Sequence, residues 1–195
     1  MVPPVCRQLG SRPLYLGDRR AANPALYEGD PVAFTGVLTL SRRAEPLTTH
    51  HHPLDDGANN RPAEFDAAVD TARALVRRDG PVLVHCAAGI SRSSTVLATT
   101  LAVEEAVSFA EGLAVVQRHR ERACPHPALR EQARRYVEHA DTVADLDATD
   151  PGRHRERDIE QRVGEVPDAN AGTDEETPHQ RKGRAEALLD RFFGR

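Results

Sequence analysis

The chain has no tryptophan, one methionine and three cysteines, and aromatic residues make up only 4% of its 195 positions. Aliphatic side chains must therefore fill its core. The cysteines, Cys6, Cys86 and Cys124, are odd in number and far apart. That argues against a disulfide framework and makes unpaired thiols in a reducing, cytoplasmic setting the expectation. No run of about 18 apolar residues exists, so no spanning helix is predicted. The first residues lack the basic-then-apolar order of a secretory leader. No basic face stands out either. Residues 141–195 hold 14 acidic and 9 basic side chains, against 16 and 17 in the rest, so the net charge of −4 belongs to the tail. Nucleic acid is not favoured as a partner. No internal repeat is present.

What is there reads as alternating strands and helices. Leu14-Tyr15-Leu16-Gly17 is a first strand, and residues 19–26 read as a helix. Alternation with Val37, Leu38 and Leu40 apolar suggests a second strand over 32–40, and residues 48–54 read as a third. The third enters the turn-rich segment Asp55-Asp56-Gly57-Ala58-Asn59-Asn60. Pro62 opens a helix whose stripe is Phe65, Ala68, Val69, Ala72, Leu75 and Val76. Val82-Leu83-Val84 lacks polar alternation and reads as a buried parallel strand. Helices follow over 93–107, 109–120 (capped by Ser108) and 128–139. The fold class expected is α/β, a three-layer sandwich with a mostly parallel sheet of four to five strands flanked by helices. The catalytic domain is expected over residues 1–140, a disordered charged tail over 141–182 and a short amphipathic helix over 183–195. That last segment could meet a membrane surface or a partner groove.

The chemistry concentrates in His85-Cys86-Ala87-Ala88-Gly89-Ile90-Ser91-Arg92-Ser93. A buried strand ends in a thiol, and a helix begins six residues later at an arginine. Loop N–H groups at a helix N-terminus favour an anion, and a thiol placed there titrates low. Cys86 reads as a nucleophile and Arg92 as a planar fork for two phosphate oxygens. The N–H groups of Ala87, Ala88, Gly89, Ile90, Ser91 and Arg92 would complete the cradle. Gly89 sits where the loop must turn. Ser93 is placed to donate to the sulfur, and His85 to tether the loop through its ring. A proton donor is still needed, and Asp55 or Asp56 can supply it from the turn-rich loop. The route would be covalent, without metal or other cofactor. His50-His51-His52 is not read as a metal site, because adjacent strand residues face opposite ways. Arg42 and Arg43 read as an exposed pair.

The run from His85 to Ser93 resembles the HCxxGxxR[ST] loop of cysteine-dependent phosphatases. Its Ala-Gly-Ile-Ser-Arg-Ser ending is similar to the dual-specificity protein phosphatase family. Residues 14–17 resemble that family's opening strand and Pro53-Leu54-Asp55-Asp56 its P-x-x-D acid loop. The segment 115–129, with Arg120, Pro125 and Pro127, resembles its closing helices. The resemblance covers residues 12–140. It implies a phosphatase fold and metal-independent hydrolysis of phosphotyrosine, phosphoserine or phosphothreonine in a protein substrate. It also makes Asp56 the general acid, with Asp55 as the alternative. The segment 94–100 departs from the Ala-Tyr-Leu-Met of kinase-directed members, and no kinase-docking domain is read before the strand at 14–17. Mitogen-activated kinases are therefore not implied as substrates. Ala87, Ala88 and Ile90 stand where inositol-lipid phosphatases usually carry lysines. The alternatives are a non-protein phosphate (an RNA 5′ end, a lipid or a small molecule) and a phosphate-binding module without turnover.

Overall fold

The computed structural model describes residues 3–27 and 31–149, with side chains through 142. Five strands, β1 (Cys6–Gln8), β2 (Leu14–Gly17), β3 (Gly36–Thr39), β4 (His50–His51) and β5 (Val82–His85), form one sheet in the order β1-β2-β5-β3-β4. β1 runs antiparallel to β2, and the other pairings are parallel. Four helices follow, α1 (Pro62–Val76), α2 (Arg92–Glu104), α3 (Phe109–His119) and α4 (Pro127–Thr149). The α/β class and the mostly parallel five-stranded sheet agree with the sequence expectation.

The two layers flanking the sheet are unequal. Leu14, Leu16, Leu38, Val82 and Val84 point into the main core with Phe65, Val69, Val96, Leu97, Val116 and Leu129 from the helices. The alternating residues Val37 and Leu83 point the other way, into a small cluster with Ala21, Ala22, Phe34 and Leu47. Two 3-10 turns, Arg19–Ala22 and Pro24–Leu26, cover that second face where one helix over 19–26 was expected. The Asp18 carboxylate caps the first turn and the Asn23 side chain the second, so the backbone restarts at Asn23.

Other boundaries also shift. The expected strands over 32–40 and 48–54 shrink to Gly36–Thr39 and His50–His51, because only those residues find ladder partners. β1 has no apolar signature because two of its three residues, Arg7 and Gln8, are exposed. α4 runs past residue 139 to Thr149, into the stretch assigned to the charged tail. Beyond 149 the expected tail and its terminal helix lie outside the described residues. No helix among the described residues is long and apolar enough to cross a membrane.

α2 is buried on nearly every side despite five hydroxyl residues. Thr95, Thr99 and Thr100 donate to the carbonyls of Ser91, Thr95 and Val96 one turn back, which satisfies them inside the core. α3 starts on a reciprocal Ser108–Glu111 cap and packs closely on α2. The closest approach is at Gly112, where an added Cβ would lie 2.3 Å from the Ala98 carbonyl oxygen. Gly→Ala inside a helix ordinarily gains about 1 kcal/mol. Here the methyl meets backbone, and overpacking costs roughly 1–3 kcal/mol. Gly112→Ala should therefore lower the thermal midpoint, read by circular dichroism, rather than raise it.

Candidate active site

The parallel ladder aligns Gly17, His85 and Thr39 side by side at the carboxyl end of the sheet. The crevice beyond such strand ends is where open α/β sheets bind ligands. The loop of residues 86–91 leaves β5 there and runs into the N-terminus of α2. Cys86 is buried at 2% exposure, Ala87 and Ala88 are exposed, and Ile90 is half-buried.

Every carbonyl of this loop is tied away from its centre. The Cys86 oxygen lies 3.4 Å from His85 Nδ1, and the Ala87 oxygen accepts from the Arg19 N–H at 3.5 Å. The Arg120 guanidinium donates to Ala88 and Gly89 at 3.4 and 3.2 Å. The Ile90 oxygen accepts from the Cys124 N–H, and the Ser91 oxygen from Thr95. The N–H groups are thereby left to converge on the inside. Gly89 adopts φ +63°, and a Cβ there would sit 2.9 Å from the Gly17 carbonyl oxygen, so both space and backbone require glycine. Ser91 Oγ does not cap α2 but accepts from the His126 N–H, joining the loop to the start of α4.

Cys86 Sγ lies 3.3 Å from Ser93 Oγ. Burial raises the thiol pKa, but the Ser93 hydroxyl, the Ser93 and Ala88 N–H groups and the Arg92 charge outweigh it. The net shift is downward, toward the thiolate. Arg92 Nη1 donates to the carbonyls of Leu54 at 3.2 Å and Leu40 at 3.5 Å. Its Nε is buried and has no hydrogen-bond partner among the described residues. One edge of the fork is thus anchored, and a buried donor beside it awaits an acceptor.

His85 is fully buried, with Nε2 2.7 Å from Thr39 Oγ1. Thr39 in turn meets Thr48 Oγ1 at 2.7 Å, and Thr48 accepts from the Glu45 N–H. That polarity lets Thr48 donate to Thr39 and Thr39 to His85, which leaves the ring proton on Nδ1 facing the Cys86 carbonyl.

The two candidate acids differ sharply. Asp55 is held at both backbone groups by the Asn60 side chain. Its carboxylate accepts from Asn59 at 2.9 Å and lies 3.6 Å from Arg42. The Asn59 hydrogen bond, helped by Arg42 and Arg92, pulls the Asp55 pKa below the usual carboxylate range. Asp56, the next residue, is exposed and makes no hydrogen bond among the described residues. The three histidines part company. His50 meets Thr49, His51 the Ser41 carbonyl and His52 Thr71. Cys6, Cys86 and Cys124 are all free thiols. Sequence reasoning assigned no role to Thr39, Thr48, Asn60 or Gln132, and placed Arg120 only within the closing helices. No local pattern marks the threonines, whereas Asn60, ending a turn-rich run, carries a signal for loop bracing.

Fold and loop together define a class: α/β proteins that carry a cysteine and an arginine on a loop joining a strand's carboxyl end to a helix N-terminus. Residues 14–139 match the family model described as "Dual specificity phosphatase, catalytic domain", and the chain belongs to that family. It is 30% identical over 129 residues to MAP kinase phosphatase with leucine-rich repeats protein 3 of Dictyostelium discoideum, covering 63% of this chain and 15% of that protein. Bovine dual specificity protein phosphatase 26 is 31% identical over 125 residues, 55% of this chain and 56% of that protein. The chain thus spans less than two thirds of the length of either relative. Human DUSP28 superposes with a TM-score of 0.61 at 26% identity, over 72% of this chain and 97% of that one. A mouse putative dual specificity phosphatase solved with zinc tungstate shares the fold, with a TM-score of 0.64 at 23% identity over 73% of this chain and 92% of that one.

Two predictions follow from these contacts. Removing the Ser93 hydroxyl takes away a donor to the thiolate, so Ser93→Ala should move the pH midpoint of Cys86 alkylation by iodoacetamide upward. The second concerns His85, whose pKa burial pulls from 6.5 to about 4. Between those values the unfolded ring binds a proton that the folded one rejects. This contribution to stability is therefore fully present above pH 6.5 and is lost as pH falls toward 4, by roughly 3 kcal/mol at most. Urea unfolding of His85→Asn at stepped pH should lack that part of the slope.

Proposed function

We propose that this chain is a metal-independent phosphoprotein phosphatase working through a cysteinyl-phosphate intermediate. The observation that carries the reading is the buried, unpartnered Arg92 Nε beside a thiol whose pKa is lowered, at a loop whose carbonyls are all tied outward. In the first step the Cys86 thiolate attacks phosphorus and the ester P–O bond breaks. The leaving oxygen takes the proton of the Asp56 carboxyl. In the second, water attacks the cysteinyl-phosphate, Asp56 accepts a water proton, and inorganic phosphate leaves with the Cys86 thiolate restored. Arg92 and the loop N–H groups stabilise the equatorial oxygens throughout, which leaves no step that calls for a metal. Asp55 has both backbone groups and its carboxylate engaged by Asn60, Asn59 and Arg42, whereas the Asp56 side chain makes no hydrogen bond among the described residues and can turn to a leaving oxygen, which supports Asp56 as the acid.

The exposed rim of the loop is Ala87 and Ala88, so no cationic side chain there selects a lipid headgroup or a polyphosphate. That supports a protein-borne phosphate monoester as the substrate. The test is a panel of phosphotyrosyl, phosphoseryl and phosphothreonyl peptides, an inositol lipid and an RNA 5′ end, assayed in chelator with Cys86→Ser as control. Turnover of the peptides above the lipid and the RNA is expected; a requirement for added metal, or preference for the lipid or RNA, overturns the reading. Asp56→Asn should cost about 100-fold on an ester with a poor leaving group and far less on an activated aryl ester.

A further inference from the structure

The mechanism above needs Asp56 at a fixed height over Cys86, yet Asp56 itself makes no hydrogen bond or ion pair among the described residues. Its loop is instead held at three other points. At the entrance, the Leu54 carbonyl accepts from the catalytic Arg92. Across the neck, Asn60 Oδ1 takes the Asp55 N–H at 2.6 Å, and Nδ2 reaches the Asp55 and Gly57 carbonyls at 2.9 and 3.2 Å. The Asn60 side chain thus closes a ring around Asp56, because it binds the residue before and the residue after. At the exit, the Asn60 carbonyl accepts from Gln132 Nε2 of α4 at 2.9 Å, a contact across 72 positions of sequence.

Asn60 is 8% exposed, and its amide spends both donors and one acceptor position on this loop. Gln132 sits beside the core residue Ala133, and its Oε1 is buried without a partner among the described residues. A half-satisfied buried amide costs stability, and the half that is satisfied points to what the residue serves. That half is the acid loop.

We propose that Gln132 and Asn60 are positioning residues for general-acid catalysis, and that α4 sets the reach of the proton donor through them. The proposal rests on Asp56 being the acid. Arg92 holds one end of the loop and therefore couples the oxyanion site to the acid site. Gln132 holds the other end from an element that takes no part in the chemistry. Displacing a catalytic group by about 1 Å can cost on the order of 100-fold in rate. Because only proton donation is affected, the loss must depend on how badly the leaving oxygen needs a proton.

The experiment uses the full chain and two substrates, phenyl phosphate and the activated ester difluoromethylumbelliferyl phosphate, with orthovanadate inhibition to report the oxyanion loop. Gln132→Met keeps length and removes the donor. It should lower kcat about tenfold or more on phenyl phosphate and less than about threefold on the activated ester, with vanadate affinity unchanged. In an Asp56→Asn background the same change should add no further loss. Equal loss on both esters, or a full additional loss in that background, overturns the proposal. Asn60→Ala carries the same comparison should Gln132→Met fail to fold, with thermal midpoints recorded for both. If Asp56→Asn discriminates between the esters and Gln132→Met does not, positioning is wrong and the acid stands. If Asp56→Asn itself fails to discriminate, the acid assignment falls and the positioning role with it.

Discussion

A loop can offer its N–H groups to an anion only when its carbonyl oxygens are turned away and kept there, since the two alternate along the chain and carry opposite dipoles. In this protein six successive carbonyls, from Cys86 to Ser91, are held by partners from five places. These are His85, Arg19 after β2, Arg120 at the end of α3, the Cys124 N–H and the first turn of α2. The fold can be understood as the frame that brings those donors to one ring. The parallel register of β2 and β5 delivers Arg19, the close packing of α3 on α2 delivers Arg120, and the turn between α3 and α4 delivers Cys124. Cys86 and the fork of Arg92 sit inside that frame.

The division between what was legible in the residues and what was not follows from distance along the chain. The stretch from Val82 to Ser93 encodes its own strand, turn and helix start, so the loop that carries Cys86, Gly89 and Arg92 could be read directly. The tethers could not. A backbone N–H at Cys124 or Arg19 has no side-chain signature, and Arg120 stands some thirty positions from the carbonyls it holds. The strands expected over 32–40 and 48–54 are longer than the observed ones because regular ladder register ends at Thr39 and His51, while single backbone hydrogen bonds such as Leu54 N–H to Leu40 continue irregularly beyond. β1 went unseen because two of its three residues face solvent. The helix expected over 128–139 stops just past the last residue of the apolar stripe, Val137, whereas helical backbone continues to Thr149.

The same contrast separates the two acidic neighbours. Both were admissible in a turn-rich loop after a strand. Only side-chain partners distinguish them, and those partners lie at Arg42, Asn59 and Asn60. Asp55 is built into the scaffold of the loop, while Asp56 is left to solvent and to whatever enters the site. A residue's freedom, as much as its contacts, carries information about its work.

The sheet's borders have their own consequence. β1 offers three residues and β4 two, and β4 ends in histidines whose rings turn back to the protein. Edges this short present almost no unpaired ladder. Among the described residues, neither border of the sheet therefore offers a strand that another chain could extend, and the sheet is closed to main-chain pairing from the side. Whatever enters the crevice at the carboxyl ends of the strands does so without a grip from the sheet's edges.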